Sequence, residues 1–191
     1  MAIRRSRDHA TEQGPSADEI RAQIDKRIPD LIAPDLGVLF CGINPGLYSA
    51  AASRHFARPG NRFWPALHQS GFTPRLISPH ESSELLQLGI GVTTLVQRAT
   101  AKARELSNSE LVDGQRRLAR MVALKHPRWV AMLGVGAYRI AFGRPRASVG
   151  LQSELLAGAR LWVLPSPSGA NGSYPLVDLV KEFRAFHHAI A

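Results

Sequence analysis

Short apolar runs alternate with amphipathic stretches along this chain. Two of the runs stop abruptly at peptides that neither a strand nor a helix can continue. Residues 36–43 (LGVLFCGI) lead straight into Asn44-Pro45-Gly46, and residues 160–164 (RLWVL) lead into Pro165-Ser166-Pro167-Ser168-Gly169. Buried strands of about four to eight residues, separated by helices, specify an α/β fold with a mainly parallel central sheet covered on both faces. Ligands of such sheets settle beyond the carboxyl ends of the strands. The two terminating peptides therefore mark one expected site.

The remaining elements follow from caps and breakers. Ser16-Ala17-Asp18-Glu19 has the pattern of a capping box and predicts a short helix ending near Pro29. Residues 47–60 read as a loop containing arginine and glycine. A helix is expected from about Asn61, a second over 80–88, and a strand or ordered loop over 91–96. Ser107-Asn108-Ser109-Glu110 is a second capping box, opening the longest helix, which stops at Pro127. A strand at 129–133, a short helix at 136–142 and a last helix at 176–189 complete the reading. The division expected is a polar leader with a short helix at 1–33 and one domain at 34–191, a size that needs no second core.

Charge narrows the partner. The 191 residues carry a formal +9. Residues 1–33 hold six basic and six acidic side chains, so the whole excess lies in the domain. Between Asp35 and Glu81 there is no acid, yet Arg54, Arg58, Arg62 and Arg75 lie there. That is the footprint of a phosphate-backbone partner. The single cysteine, Cys41, excludes a disulfide within the chain and metal centres built on several cysteines. No apolar run approaches the roughly 18 residues that span a bilayer. The first residues, MAIRRSRDHATEQG, lack the apolar stretch of a secretory signal. A cytoplasmic, nucleoid-associated protein is expected.

Asn44 precedes a proline, which pushes its backbone to extended geometry, while Pro45 is fixed and Gly46 is free to turn or to admit a ligand. The result is a stiff turn presenting one amide, able to hold a water or read a base edge but not to act as a strong base. A plain strand-ending turn is the alternative reading. His55-Phe56-Ala57-Arg58 places an aromatic in a basic loop, suited to stacking a base, or else simply covering the core. Phe63 and Trp64, on the following helix, read as core. The loop from Pro165 is small and stiff enough to enter a groove. Ser166 and Ser168 lack the G-x-S-x-G elbow of a serine hydrolase. Gly134-Val135-Gly136 lacks the full dinucleotide fingerprint, there is no Walker loop, and adjacent His187 and His188 have poor metal geometry. With no acid near GINPG, the sequence disfavours a two-carboxylate sugar hydrolase at this strand end.

Together, GINPG after a strand, HFARPGNRFW, GVTTLV and a terminal strand running into PSPSG resemble the mismatch-specific uracil DNA glycosylase and thymine DNA glycosylase family. The similarity covers about residues 34–190. It implies a three-layer α/β/α fold of the uracil-DNA glycosylase type and no cofactor or metal. It also implies hydrolysis of the N-glycosidic bond of uracil, or of related lesions such as ethenocytosine or thymine, mispaired with guanine in double-stranded DNA. A monomer is expected, because one small domain acting on one lesion needs no partner subunit. By the resemblance Asn44 positions the attacking water and Phe56 stacks on the flipped base. Ile43 and Ser49 line the base pocket. Ser168, Gly169 and Ala170 enter the duplex and read the opposite guanine. Thr94 stands where relatives can carry a Lys or Asp, so it supplies no charge as a possible accessory group. Ala170 stands where some relatives carry a larger wedge. A glycosylase of broader specificity and an inactive mismatch-binding module are the alternatives.

Overall fold

A computed structural model describes residues 14–169, 172 and 174–190. Its helices are α1 (Ala17–Arg21), α2 (Leu47–Ala51), α3 (Phe63–Gln69), α4 (Glu84–Gln87), α5 (Asn108–Lys125), α6 (Val135–Ala141) and α7 (Leu176–Ile190). Its strands are β1 (Val38–Gly42), β2 (Ile90–Thr94), β3 (Trp129–Leu133), β4 (Gly150–Leu156) and β5 (Ala159–Leu164). They form one sheet in the order β2-β1-β3-β5-β4. The first four in that order run parallel, and β4 lies antiparallel on β5. The stretch read as strand or ordered loop is thus a strand, in register with β1 from Val38 opposite Ile90 to Gly42 opposite Thr94.

Alternation along β1 separates two cores. Val38 and Phe40 face α3 and α7, whereas Leu39 and Cys41 face α5 and α6. Phe40 sits at the centre of the first face, with the rings of Phe72, Phe63, Phe183 and Phe186 centred 5.3, 5.5, 5.9 and 6.1 Å away. Each such pair adds roughly 0.5–1.5 kcal/mol beyond the area it buries. On the opposite face Leu118 and Val122 of α5 and Tyr138 of α6 are completely buried. The three-layer α/β/α expectation holds.

Four local differences from the sequence reading have physical causes. Helix α1 has its capping box, with Ser16 N–H 2.7 Å from the Glu19 carboxylate, but it buries nothing and ends at Arg21, not near Pro29. After a turn that ends at Asp25 (φ 63°), residues 26–31 run along the domain without helix. Asp25 N–H donates to Ala99 O at 3.0 Å, and Leu31 bridges Val92. The helix expected over 80–88 is divided into a 3₁₀ turn at Pro79–Glu81 and the single turn of α4. Helix α2 occupies part of the expected loop. Strand β4 had no sequence counterpart because its polarity is inverted: Leu151 and Leu155 are 52% and 63% exposed, while Glu154 turns inward to accept from Tyr138 Oη at 2.6 Å.

Strand β3 separates the ends of β1 and β5. The GINPG and PSPSG peptides therefore leave the same edge of the sheet about 10 Å apart, two strand spacings.

Candidate active site

The space between those two peptides is a cleft of about 490 Å³. One wall is Gly42, Ile43, Asn44, Pro45 and Gly46. Ser166, Pro167 and Ser168 form the other, with Ser49, Phe56 and Thr94 between. Every sequence-level site residue except two is brought to this cleft. Gly169 adjoins it, and Ala170 lies outside the described residues.

Asn44 is fixed through its nitrogen. Nδ2 donates to Thr100 Oγ1 at 2.7 Å, and Arg98 O and Pro45 O lie at 3.1 and 3.2 Å. The Thr100 hydroxyl gives its own hydrogen to Lys102 O at 3.0 Å, so it must accept from the amide. Both amide hydrogens are then engaged, and Oδ1 is left as the acceptor. This works because β1 and β2 keep pairing past their ends. Leu95 N–H reaches Gly42 O at 2.8 Å, Val96 N–H reaches Ile43 O at 2.9 Å, and Gly46 bridges Thr100. Behind this ledge Arg98 is paired with Glu110 and Asp25. The Arg98 guanidinium, helped by Ser107, holds the Glu110 carboxyl down to about 2.

Phe56 has a left-handed backbone, φ 54°, unusual for an aromatic residue and costing of order 1–2 kcal/mol. Two contacts hold it there. Its ring stacks on Phe63 with centroids 4.1 Å apart, and the next amide, Ala57 N–H, donates to Ser49 Oγ at 3.1 Å. Ser49 thus has a structural task as well as a place in the wall. The ring packs on the core, and it also lines the cleft. Beneath it lies Gly42, where an added Cβ would come within 3.2 Å of Phe56 Cζ.

Thr94 is 3% exposed, and its carbonyl accepts from Arg117. Arg117 is held in turn by Asp30 at 3.2 Å, and Asp30 accepts from Thr93 Oγ1 at 2.6 Å.

Four residues of the site escaped the sequence reading. Thr100 and Lys102 arrive through the extended pairing. His55 is buried in the wall, with Nε2 2.9 Å from Pro29 O, and burial holds its imidazole below the ordinary value, so the ring is neutral and Nε2–H donates. Arg62 reaches behind the second wall to the carbonyls of Pro167, Ser168 and Tyr174. For Thr100 and Lys102 the signal is tertiary. His55 and Arg62 both stand in HFARPGNRFW, where His55 is given no task of its own and Arg62 counts only as charge.

Among the described wall residues the cations are Arg58 and Lys102, and none is Asp or Glu. No group of three or more His, Cys, Asp or Glu suited to a metal occurs among the described residues. The cleft offers an aimed amide oxygen, an aromatic platform, hydroxyls and backbone donors, the equipment for holding a planar heterocycle and a water.

A family model described as the uracil DNA glycosylase superfamily matches residues 29–189. Among solved structures, the NMR structure of a candidate uracil DNA glycosylase from Methanosarcina acetivorans is 19% identical with a TM-score of 0.59. The match covers 86% of this chain and 99% of the other. The fold is thus shared along nearly the whole length of that protein. With 161 of its residues in the family match and the cleft formed where its two signature peptides meet, the chain belongs to the uracil DNA glycosylase superfamily, hydrolases that act on the base–sugar bond of DNA.

Proposed function

We propose that this chain is a monofunctional, mismatch-specific uracil DNA glycosylase of the mismatch-specific uracil and thymine glycosylase branch. Its substrate is uracil opposite guanine in duplex DNA, with ethenocytosine and thymine as further candidate lesions. It acts as a monomer on cytoplasmic DNA. The observation that carries this reading is the anchored Asn44 amide in one cleft with Phe56, with no carboxylate among the described wall residues.

In the proposed mechanism the uracil swings out of the helix into the cleft and lies against Phe56. The C1′–N1 bond breaks, leaving positive charge on the sugar and negative charge on the base. DNA phosphates stabilise the first, and N–H donors around Ile43 stabilise the second. Asn44 Oδ1 accepts a hydrogen from the water that adds to C1′. That water's proton passes to solvent, and the uracil anion takes one up after leaving. Lacking a carboxylate base, the enzyme is slow and depends on a stable leaving anion, so uracil exceeds thymine and cytosine is spared.

The test is uracil release from a labelled G·U duplex, read as alkali-labile sites. Asn44→Ala should be slowed about 100-fold, the usual scale for losing the alignment of a reactant. Equal rates would remove Asn44 from the chemistry. Binding without any release by the wild type would favour the inactive mismatch-binding module. A panel of A·U, single-stranded uracil, G·T and hypoxanthine would expose broader specificity.

A further inference from the structure

The loop after β5 is built from small residues, Ser166, Ser168, Gly169 and Ala170, and lacks an arginine between Pro165 and Pro175. Such a loop enters a duplex with its backbone, not with a bulky side chain, so its stiffness must come from elsewhere. The structure places that support in Arg62. The Arg62 N–H donates to Pro167 O at 3.1 Å, and its Nε lies 3.4 Å from the same oxygen. Its two terminal nitrogens donate to Ser168 O and Tyr174 O. Pro167 and Ser168 lie on the outgoing limb of the loop and Tyr174 on the returning limb. One guanidinium therefore ties both limbs at the base. Gly169 lies close to the backbone of Gly60: a Cβ added to it would fall 3.1 Å from Gly60 O. Arg62 also precedes Phe63, the ring on which Phe56 stacks.

We propose that Arg62 is a positioning residue that holds the loop after β5 at the height required to enter a duplex, and so links duplex entry to the base platform. Each of the three carbonyls is met by a different nitrogen of the rigid guanidinium fork, whereas an ammonium would have to reach all three from one atom. Because the device acts on the cost of extruding a paired base, it matters little when the uracil has no partner to leave. The inference rests on the proposed glycosylase reading.

The experiment uses Arg62→Lys in the full chain, with thermal melting as the check on folding. Single-turnover uracil release is compared on a G·U duplex and on a duplex with uracil opposite a tetrahydrofuran abasic analogue. The variant should be about tenfold slower on G·U and within about twofold of wild type on the unpaired uracil, the loss of charged hydrogen bonds being felt only where the loop works. Equal slowing on both substrates would overturn the proposal. Wild type inactive on both would refute the glycosylase reading instead. Hydrogen exchange on the free protein then decides for Arg62. Faster exchange across 165–175, with β1 and β3 unchanged, supports its role, and unaltered exchange there overturns it.

Discussion

Gly42 governs the shape of the cleft floor. It ends β1, it is buried, and a methyl group on it would meet Phe56 at 3.2 and 3.4 Å and Thr94 Cγ2 at 3.6 Å. The neighbours are side chains, so Gly42→Ala displaces the Phe56 ring by a few tenths of an ångström and leaves the strand intact. Asn44 is held by a separate set of bonds to Thr100 and Arg98. The variant should therefore raise the half-saturating enzyme concentration for a G·U duplex about tenfold, roughly one lost stacking contact, and change the maximal single-turnover rate less than about threefold. A loss confined to the maximal rate would mean that Phe56 is not the platform. His55 and Phe56, adjacent in sequence, divide the work: one ring is neutral and bonded outward to Pro29, the other faces the cleft.

The segment 25–31 is tied to the cleft loop by that histidine. Its imidazole is buried and its pKa is lowered from the ordinary 6.5, by desolvation above all. The folded state then binds fewer protons than the unfolded chain, so stability is full above pH 6.5 and falls as the pH drops through that value. Glu81 and Glu110, both lowered to about 2, add their losses only below about pH 4.5. Urea midpoints at pH 8, 6 and 5 should decline from pH 8 to 5 in the wild type and decline less in His55→Gln. Parallel declines would free His55 of the effect. The same segment shows where sequence reasoning reaches its limit. Strand β3, helix α5 and helix α7 were legible because apolar pattern and flanking proline agree, and in α5 the Ser107 cap agrees as well. Helix α2 was not, since it has five residues and no side-chain cap at Gly46. Strand β4 was hidden by leucines that point outward, and the segment 25–31 by pairing with residues some 60 to 75 positions away. Asn44 stood out because proline and glycine flank it. Thr100 did not, because only the pairing of Gly46 with Thr100 brings it there.

At the scale of the molecule, the +9 charge and the acid-free cleft wall set how the protein meets DNA. Each phosphate neutralised adds about 0.9 to the slope of log affinity against log salt. Arg58 is exposed on the cleft wall. Arg58→Ala should lower that slope by about one and weaken duplexes of all sequences alike, measured by anisotropy between roughly 50 and 200 mM salt. An unchanged slope would place Arg58 off the backbone path. Continued pairing beyond β1 and β2 has a wider effect. The asparagine rides on what is in practice sheet, tied down at both flanks, and so is already aimed in the free protein. The entropy of aiming it is lost once, when the polypeptide folds, and not afresh at every encounter with damaged DNA. On the proposed reading, a catalyst without a strong base gains most from such readiness, since its one amide is set before any substrate arrives.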